Sequence, residues 1–504
     1  MNRPTFFVTT PIYYVNAAPH MGHAYTTIVA DVLARHHRQR GDEVFFLTGT
    51  DEHGEPVALA AEREGIPPQE LADRNAERFK ALVPYLGASN DFFIRTSDPE
   101  HIAKVQEVLM RVKENGYVYE GSYEGWYCPR CADFKRESEI AEGNRCPIHK
   151  IELTRENEHN WFFRLSAFQE QLEQLFADQP DFVRPRSRRN EALSFIQSGL
   201  QDVSLSRSKI DWGVPVPWDP SQVVYVWWDA LLNYYTALSY ARPGEDLTER
   251  LWPASLHLIA KDILKFHTIY WPAFLMAAGI ELPERVFVHG YLLSDGEKMS
   301  KSLGNVLDPF TAIEQFGADA LRFYLLRDVS FGQDGSVSAA AFEERYEREL
   351  ANDYGNLASR TVAMVHRYRG GVVPQVPHDA ALDADFEGLP GRIAELLDAV
   401  EVTQALEQIW QRVRRLNQYV EEQAPWKLAK DEGAAAQLDT VLATLAEGVR
   451  CLTVLLHPWL PATSAKLLAT LAAPEIGFGA AALGAGRLEA IEELAPLFPK
   501  AERS

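Results

Sequence analysis

The sequence predicts an α/β protein: a doubly wound parallel sheet, split by a cysteine-rich insertion and followed by an all-α helix-bundle domain. Three observations carry this. Strand-like apolar runs alternate with helical stretches near the N-terminus. Three of the four cysteines cluster between Cys128 and Cys146. From about Arg345 to Ala485 the chain is rich in Ala, Leu, Glu and Arg at helical spacing, with breaks at Gly370–Gly371 and Pro425.

The elements follow in order. FFVTT, ending at Thr10, is a short buried strand, and a polar loop leads from it into a helix read from about Tyr25 and closed by Gly41. VFFLTGT, Val44 to Thr50, is the second strand, so the opening strand–loop–helix–strand has the doubly wound, Rossmann-like pattern. Residues 66–116 continue as helix. Residues 117–217 change texture, with short strand-like runs, the cysteines and the basic stretch Arg184, Arg186, Arg188 and Arg189. Buried-strand composition returns at Val223 to Trp228, Leu256 to Ile259 and Val286 to Leu293.

Composition narrows the function classes. At 504 residues the chain has room for about three domains. A formal net charge of −21 argues against a bulk, non-specific nucleic-acid coat, yet leaves room for a local basic face. Neither a membrane-spanning apolar run nor a secretory leader is read, so a cytoplasmic protein is expected.

Two motifs carry chemistry. His20-Met21-Gly22-His23 lies between the first strand and first helix, where two imidazoles can donate to phosphate oxygens beside a helix N-terminus. Gly22 has no Cβ, which lets a flat base approach the backbone. Taken alone, the tetrapeptide reads more readily as a pair of surface or capping histidines. The second motif, Lys298-Met299-Ser300-Lys301-Ser302, removes that ambiguity: two lysines and two hydroxyls in five residues can grip a triphosphate as pyrophosphate leaves. A third pattern is Cys128-x2-Cys131 with Cys146-x2-His149, the spacing of a closed Cys3His structural zinc site. Asp51, at the end of the second strand, is the natural partner for a substrate ammonium group. Cys451 reads as plain core.

Together HMGH and KMSKS resemble the two signatures of class I aminoacyl-tRNA synthetases. More closely, the chain resembles the bacterial methionyl-tRNA synthetase family, through VTTPIYYVNAAPHMGHAYT, TGTDEHG, YVWWDALLNY, KDILKFH, FVHGYLL, NLASR and QAPWKLAK. One departure is Ala260, where that family carries Gly.

The resemblance implies ATP-dependent ligation of L-methionine to tRNA(Met) through methionyl-adenylate, with Mg²⁺ accompanying ATP and one structural zinc. It implies phosphate work for His20, His23, Lys298 and Lys301, and an ATP site completed by Gly22, Asp262, Met299, Ser300 and Ser302. Methionine would be held by Ile12, Tyr14, Asp51, Trp227, Ala230, Leu231, Tyr234, Ile263 and His267. Anticodon bases would meet Asn356, Arg360, Pro425 and Trp426, residue types suited to stacking and edge recognition. Arg412, Arg414 and Arg415 could hold phosphates there.

The expected domains are residues 1–116 and 218–290 for the two halves of the catalytic sheet. Residues 117–217 form the insertion with its knuckle at 128–149, residues 291–350 the KMSKS and stem-contact region, and residues 351–504 the anticodon-binding bundle. A monomer is expected. The insertion is too short for the editing domain of the leucine, isoleucine and valine enzymes, and a non-catalytic zinc protein that only binds tRNA would need neither signature.

Overall fold

The structure is a computed structural model describing residues 3–129, 133–135, 137–148, 150–294, 297–298 and 308–499. Six parallel strands form the central sheet: β1 (Thr5–Tyr14), β2 (Glu43–Asp51), β3 (Phe92–Arg95), β4 (Val183–Arg184), β5 (Leu256–Ala260) and β6 (Val286–His289). Their spatial order is β3-β2-β1-β5-β6-β4. The chain winds outward from β1 in one direction; on the other side it enters at the edge strand β4, then forms β5 beside β1 and β6 between β5 and β4. The switch point between β1 and β5 is where doubly wound sheets bind ligands, beyond the carboxyl ends of the strands.

Several elements differ from the sequence reading. Helix α1 (Met21–Arg40) begins four residues before Tyr25, because His20 caps it. The run VVYVWW is divided: Asp219–Val224 is a strand of a small antiparallel sheet, and α2 (Val226–Thr236) starts at Val226. Short apolar runs do not distinguish a buried strand from a buried helix start, and here tertiary packing decides. Val286 to Leu293 is likewise broken at Gly290, beyond which Leu292–Ser294 pairs with Glu297–Lys298 and Gly335–Ser336. Two sheet strands, β3 and β4, lie inside stretches read as helix and as insertion.

The insertion is built on a four-stranded antiparallel sheet whose long pair is Val118–Cys128 and Thr154–Phe163. The helical part of the chain includes α3 (Ala318–Asp328), α4 (Asn356–Arg369), α5 (Val402–Gln423), α6 (Pro425–Leu428) and α7 (Ala435–Leu456). One continuous core joins α1 and one sheet face to these helices; a second core lies on the opposite sheet face around Trp228, Trp271 and Phe274. Helix α1 is therefore buried without a break from Ala24 to Ala34, the polar Thr26, Thr27 and Asp31 included.

Candidate active site

A cavity of about 520 Å³ opens at the switch point. Ile12 and Tyr14 from β1, Asp51 from β2, Ala260 from β5 and His289 from β6 bring the carboxyl ends of four parallel strands to it. Register between β1 and β2 shifts between Thr9 and Ile12, around Pro11, which has no N–H to give to a ladder.

All nine residues expected around methionine line this one cavity, together with His20, Gly22, His23 and Asp262. Its apolar half is aromatic. Trp227 stacks on Phe266 with ring centroids 3.8 Å apart, and Tyr14 meets Trp227 edge-on at 6.3 Å. Tyr234 donates its hydroxyl proton to His267 Nε2 at 2.7 Å, since His267 Nδ1–H donates to the Ile263 carbonyl at 3.1 Å. Burial lowers the pKa of His267 to about 4, so that ring is neutral at physiological pH.

Asp51 is 2% exposed, and its Oδ1 has no hydrogen-bond partner among the described residues. Burial, reinforced by the negative charges of Asp229 and Glu52, pushes its carboxyl well above the usual range. No lysine or arginine stands among the described lining residues. The described lining residues therefore supply no cation to pair with Asp51. Glu52 and Asp229 do have partners: Arg95 grips Glu52 bidentately at 2.7 and 2.8 Å, while His53 and His101 hold Asp229 at 2.6 and 2.7 Å.

Sequence reasoning named none of Glu52, His53, Arg95, His101 and Asp229. Three of them stand inside quoted motifs, Glu52 and His53 in TGTDEHG and Asp229 in WWDALLNY, so that position was the available signal.

The histidine motif caps the helix that it opens. His20 Nδ1 accepts from the Gly22 N–H, and His23 Nδ1 accepts from the His20 N–H, each at 3.1 Å. This is a capping box made by imidazoles. With Nδ1 accepting, a neutral imidazole carries its proton on Nε2 and can donate from there. Burial, and then His20, hold His23 well below the ordinary histidine pKa, so it acts as a neutral donor. Gly22 matters first for this cap, because a Cβ there would come within 2.9 Å of the His20 ring. Ala260 has φ −83° and ψ 158°, extended backbone that accepts a methyl group as readily as glycine.

Elsewhere the expected residues divide. Lys298 pairs in the hairpin opposite Leu293, while its side chain and Met299, Ser300, Lys301 and Ser302 lie outside the described residues. Cys128 and Cys146 are fully buried in one small cluster with Leu153; Cys131 and His149 lie outside the described residues. Among the described residues no group of three or more metal-type side chains is assembled. In the helical part, the Arg360 guanidinium lies 5.7 Å from the Trp426 ring centre, and Asn356 stands exposed one turn before it on α4. Pro425 is buried as the first residue of α6 and so orients Trp426. Arg414 pairs with Glu407 and Arg415 with Asp385 and Glu422, while Arg412 donates to the Asp385 backbone carbonyl.

A doubly wound sheet with HMGH capping its first helix and an acid-tipped apolar cavity at the switch point defines a class I aminoacyl-tRNA synthetase. Residues 6–362 match the family of class I tRNA synthetases (M), and residues 372–490 match the anticodon binding domain of methionyl tRNA ligase. The methionine–tRNA ligase of Mesorhizobium japonicum is 48% identical over 484 residues, covering 94% of this chain and 92% of that one. That of Streptomyces coelicolor is 47% identical over 488 residues, covering 94% and 90%. A solved structure of Mycobacterium tuberculosis methionyl-tRNA synthetase in complex with methionyl-adenylate superposes with a TM-score of 0.95 at 43% identity, covering 98% of this chain and all of that one. The chain belongs to the methionyl-tRNA synthetase family.

Proposed function

We infer that this chain carries out ATP-dependent ligation of L-methionine to tRNA(Met) through methionyl-adenylate, with the following assignments. The observation that carries them is the buried Asp51 oxygen, without a partner among the described residues, at the end of an aromatic cavity. Asp51 takes the methionine ammonium group. Trp227, Tyr14, Tyr234 and His267 surround the thioether, whose sulfur packs favourably on aromatic edges. A methionine carboxylate oxygen attacks the α-phosphorus of ATP, and the bond to the β-phosphate oxygen breaks to release pyrophosphate. Neutral His20 and His23 donate hydrogen bonds to phosphate oxygens, Lys298 and Lys301 offset the charge on pyrophosphate, and Asp262 serves the nucleotide side. Mg²⁺ travels with ATP. The tRNA terminal ribose hydroxyl then attacks the adenylate carbonyl carbon and AMP leaves. No side chain becomes covalently attached, so catalysis is positioning and charge stabilisation. Transfer of labelled methionine to tRNA(Met) that requires ATP tests the whole reaction; its absence would overturn it.

In the same proposal the catalytic sheet takes residues 1–116 and 218–290 together with the edge strand β4 from the insertion, residues 291–350 carry KMSKS and the stem contact, and residues 351–504 bind the anticodon. Residues 117–217 would carry one structural zinc on Cys128, Cys131, Cys146 and His149. The support is chemical: two buried thiols, the first ligand of each knuckle, packed in one cluster with Leu153, and four protein ligands that leave no position for catalysis. Cys131→Ser, or chelation, is expected to loosen the insertion and to lower tRNA charging more than adenylate formation. Metal analysis with parallel charging and exchange assays checks this; a metal-depleted protein that charges normally would refute it.

Anticodon reading is assigned to Asn356, Arg360 and Trp426, with Pro425 as the element that starts α6. Trp426→Ala should raise the KM for tRNA by the loss of one stacked base, about 1–3 kcal/mol. Methionine activation without tRNA should be unchanged. Equal tRNA kinetics for the variant and the parent would end this assignment.

A further inference from the structure

Lys261 directly follows β5, and its neighbours Ala260, Asp262 and Ile263 all line the cavity. Lys261 itself does not. Its Nζ donates to both carboxylate oxygens of Asp334, at 2.6 and 2.8 Å, and sits 4.3 Å from the centre of the Tyr291 ring. Asp334 in turn accepts the Tyr291 backbone N–H at 2.8 Å. Tyr291, with Gly290 and Leu292, also lines the cavity, next to His289 at the end of β6, the strand paired with β5.

The backbones on that side are joined closely. The Gly335 N–H donates to the Tyr291 carbonyl at 3.0 Å, and the Val337 N–H donates to the Leu293 carbonyl at 2.8 Å. A Cβ on Gly290 would fall 2.3 Å from the Gln333 carbonyl carbon and 2.4 Å from the Asp334 nitrogen, so only glycine permits this approach. Lys261 is thus the tie between the end of β5, which also carries the amino-acid side of the site, and the wall leading into the hairpin of Glu297–Lys298.

An ion pair this exposed contributes little to global stability. Its effect falls on local geometry, because Asp334 holds at the same time a cation and the backbone of a cavity residue. We propose that Lys261 is a positioning residue for the nucleotide half of the site, fixing the Gly290–Leu292 wall through Asp334. This rests on the adenylate-forming reading above.

The test uses the full chain, with ATP–pyrophosphate exchange for ATP kinetics and tryptophan fluorescence for methionine binding. Lys261→Met is expected to raise the KM for ATP on the order of tenfold while methionine affinity stays within about twofold. Lys261→Arg restores most of the loss, Asp334→Ala reproduces it, and the double variant is no worse than Asp334→Ala alone. An unchanged KM for ATP in Lys261→Met, an equal loss of methionine affinity, or additive losses in the double variant would each overturn the proposal. Absence of methionine-dependent exchange in the parent protein would instead overturn the adenylate-forming reading itself.

Discussion

Replacing Asp51 with Asn is expected to remove nearly all methionine activation while making the folded protein more stable at neutral pH. Both halves follow from the same burial. The Asp51 oxygen has no partner among the described residues, and no lysine or arginine among them lines the cavity. When methionine binds, its ammonium group becomes the partner of that charge. Removing one member of such a buried pair costs about 3–5 kcal/mol, or roughly 10²- to 10³-fold or more in kcat/KM for methionine. The stability sign is opposite. Burial first, then Asp229 and Glu52, raise the folded-state pKa of Asp51 above its unfolded value. Its ionisation therefore weakens the fold once pH climbs above the unfolded pKa, and a neutral amide has no such cost. Melting of Asp51→Asn should exceed that of the parent at pH 7, with the gain vanishing as pH falls below about 4. A variant that keeps parental methionine kinetics, or that melts lower at pH 7, contradicts the assignment.

The second large effect concerns the seat of α1. Asp31, in the middle of that helix, is fully buried and pairs with Arg322 of α3 and with Arg35, each at 2.7 Å. Arg322 is itself fully buried and donates to the carbonyls of Leu86, Pro458 and Trp459. The pair thus connects the helix that carries HMGH to the end of the long bundle helix. Asp31→Asn leaves the Arg322 charge in the core, a loss of about 3–5 kcal/mol. Desolvation opposes ionisation of Asp31, but Arg322, Arg35 and Ser89 outweigh it and hold its pKa below the ordinary value. The contribution is present above the unfolded pKa and disappears as pH falls through the folded one, so the difference between variant and parent should be large at pH 7 and shrink in acid. Thermal unfolding across pH measures this. Coincident melting curves at pH 7 would contradict it.

Much of this was readable beforehand, and the failures have physical causes. The opening strand–helix–strand and the long helical region were legible because apolar periodicity reports burial directly. Helix α1 starts four residues ahead of the periodic run because the His20 Nδ1 does what a serine oxygen usually does at a helix N-cap. β4 is two residues long, too short for any pattern to register, yet it closes the sheet edge beside β6. The cavity wall was legible through family blocks, whereas Trp227 and Tyr234 alone would have been assigned to core, and both are indeed buried. Glu52, His53, Arg95, His101 and Asp229 stayed hidden because their pairings span 43 to 176 positions of chain. Lys261 was quoted within a motif, but its link to Asp334 exists only once 73 residues have folded back.

The most direct test is ATP–pyrophosphate exchange measured without tRNA for each amino acid in turn. An apolar, acid-tipped cavity of this shape should support exchange with L-methionine far above leucine, isoleucine or valine, and Asp51→Asn should abolish it. Exchange driven by one of those three amino acids as well as by methionine, or no methionine-dependent exchange at all, would contradict the account.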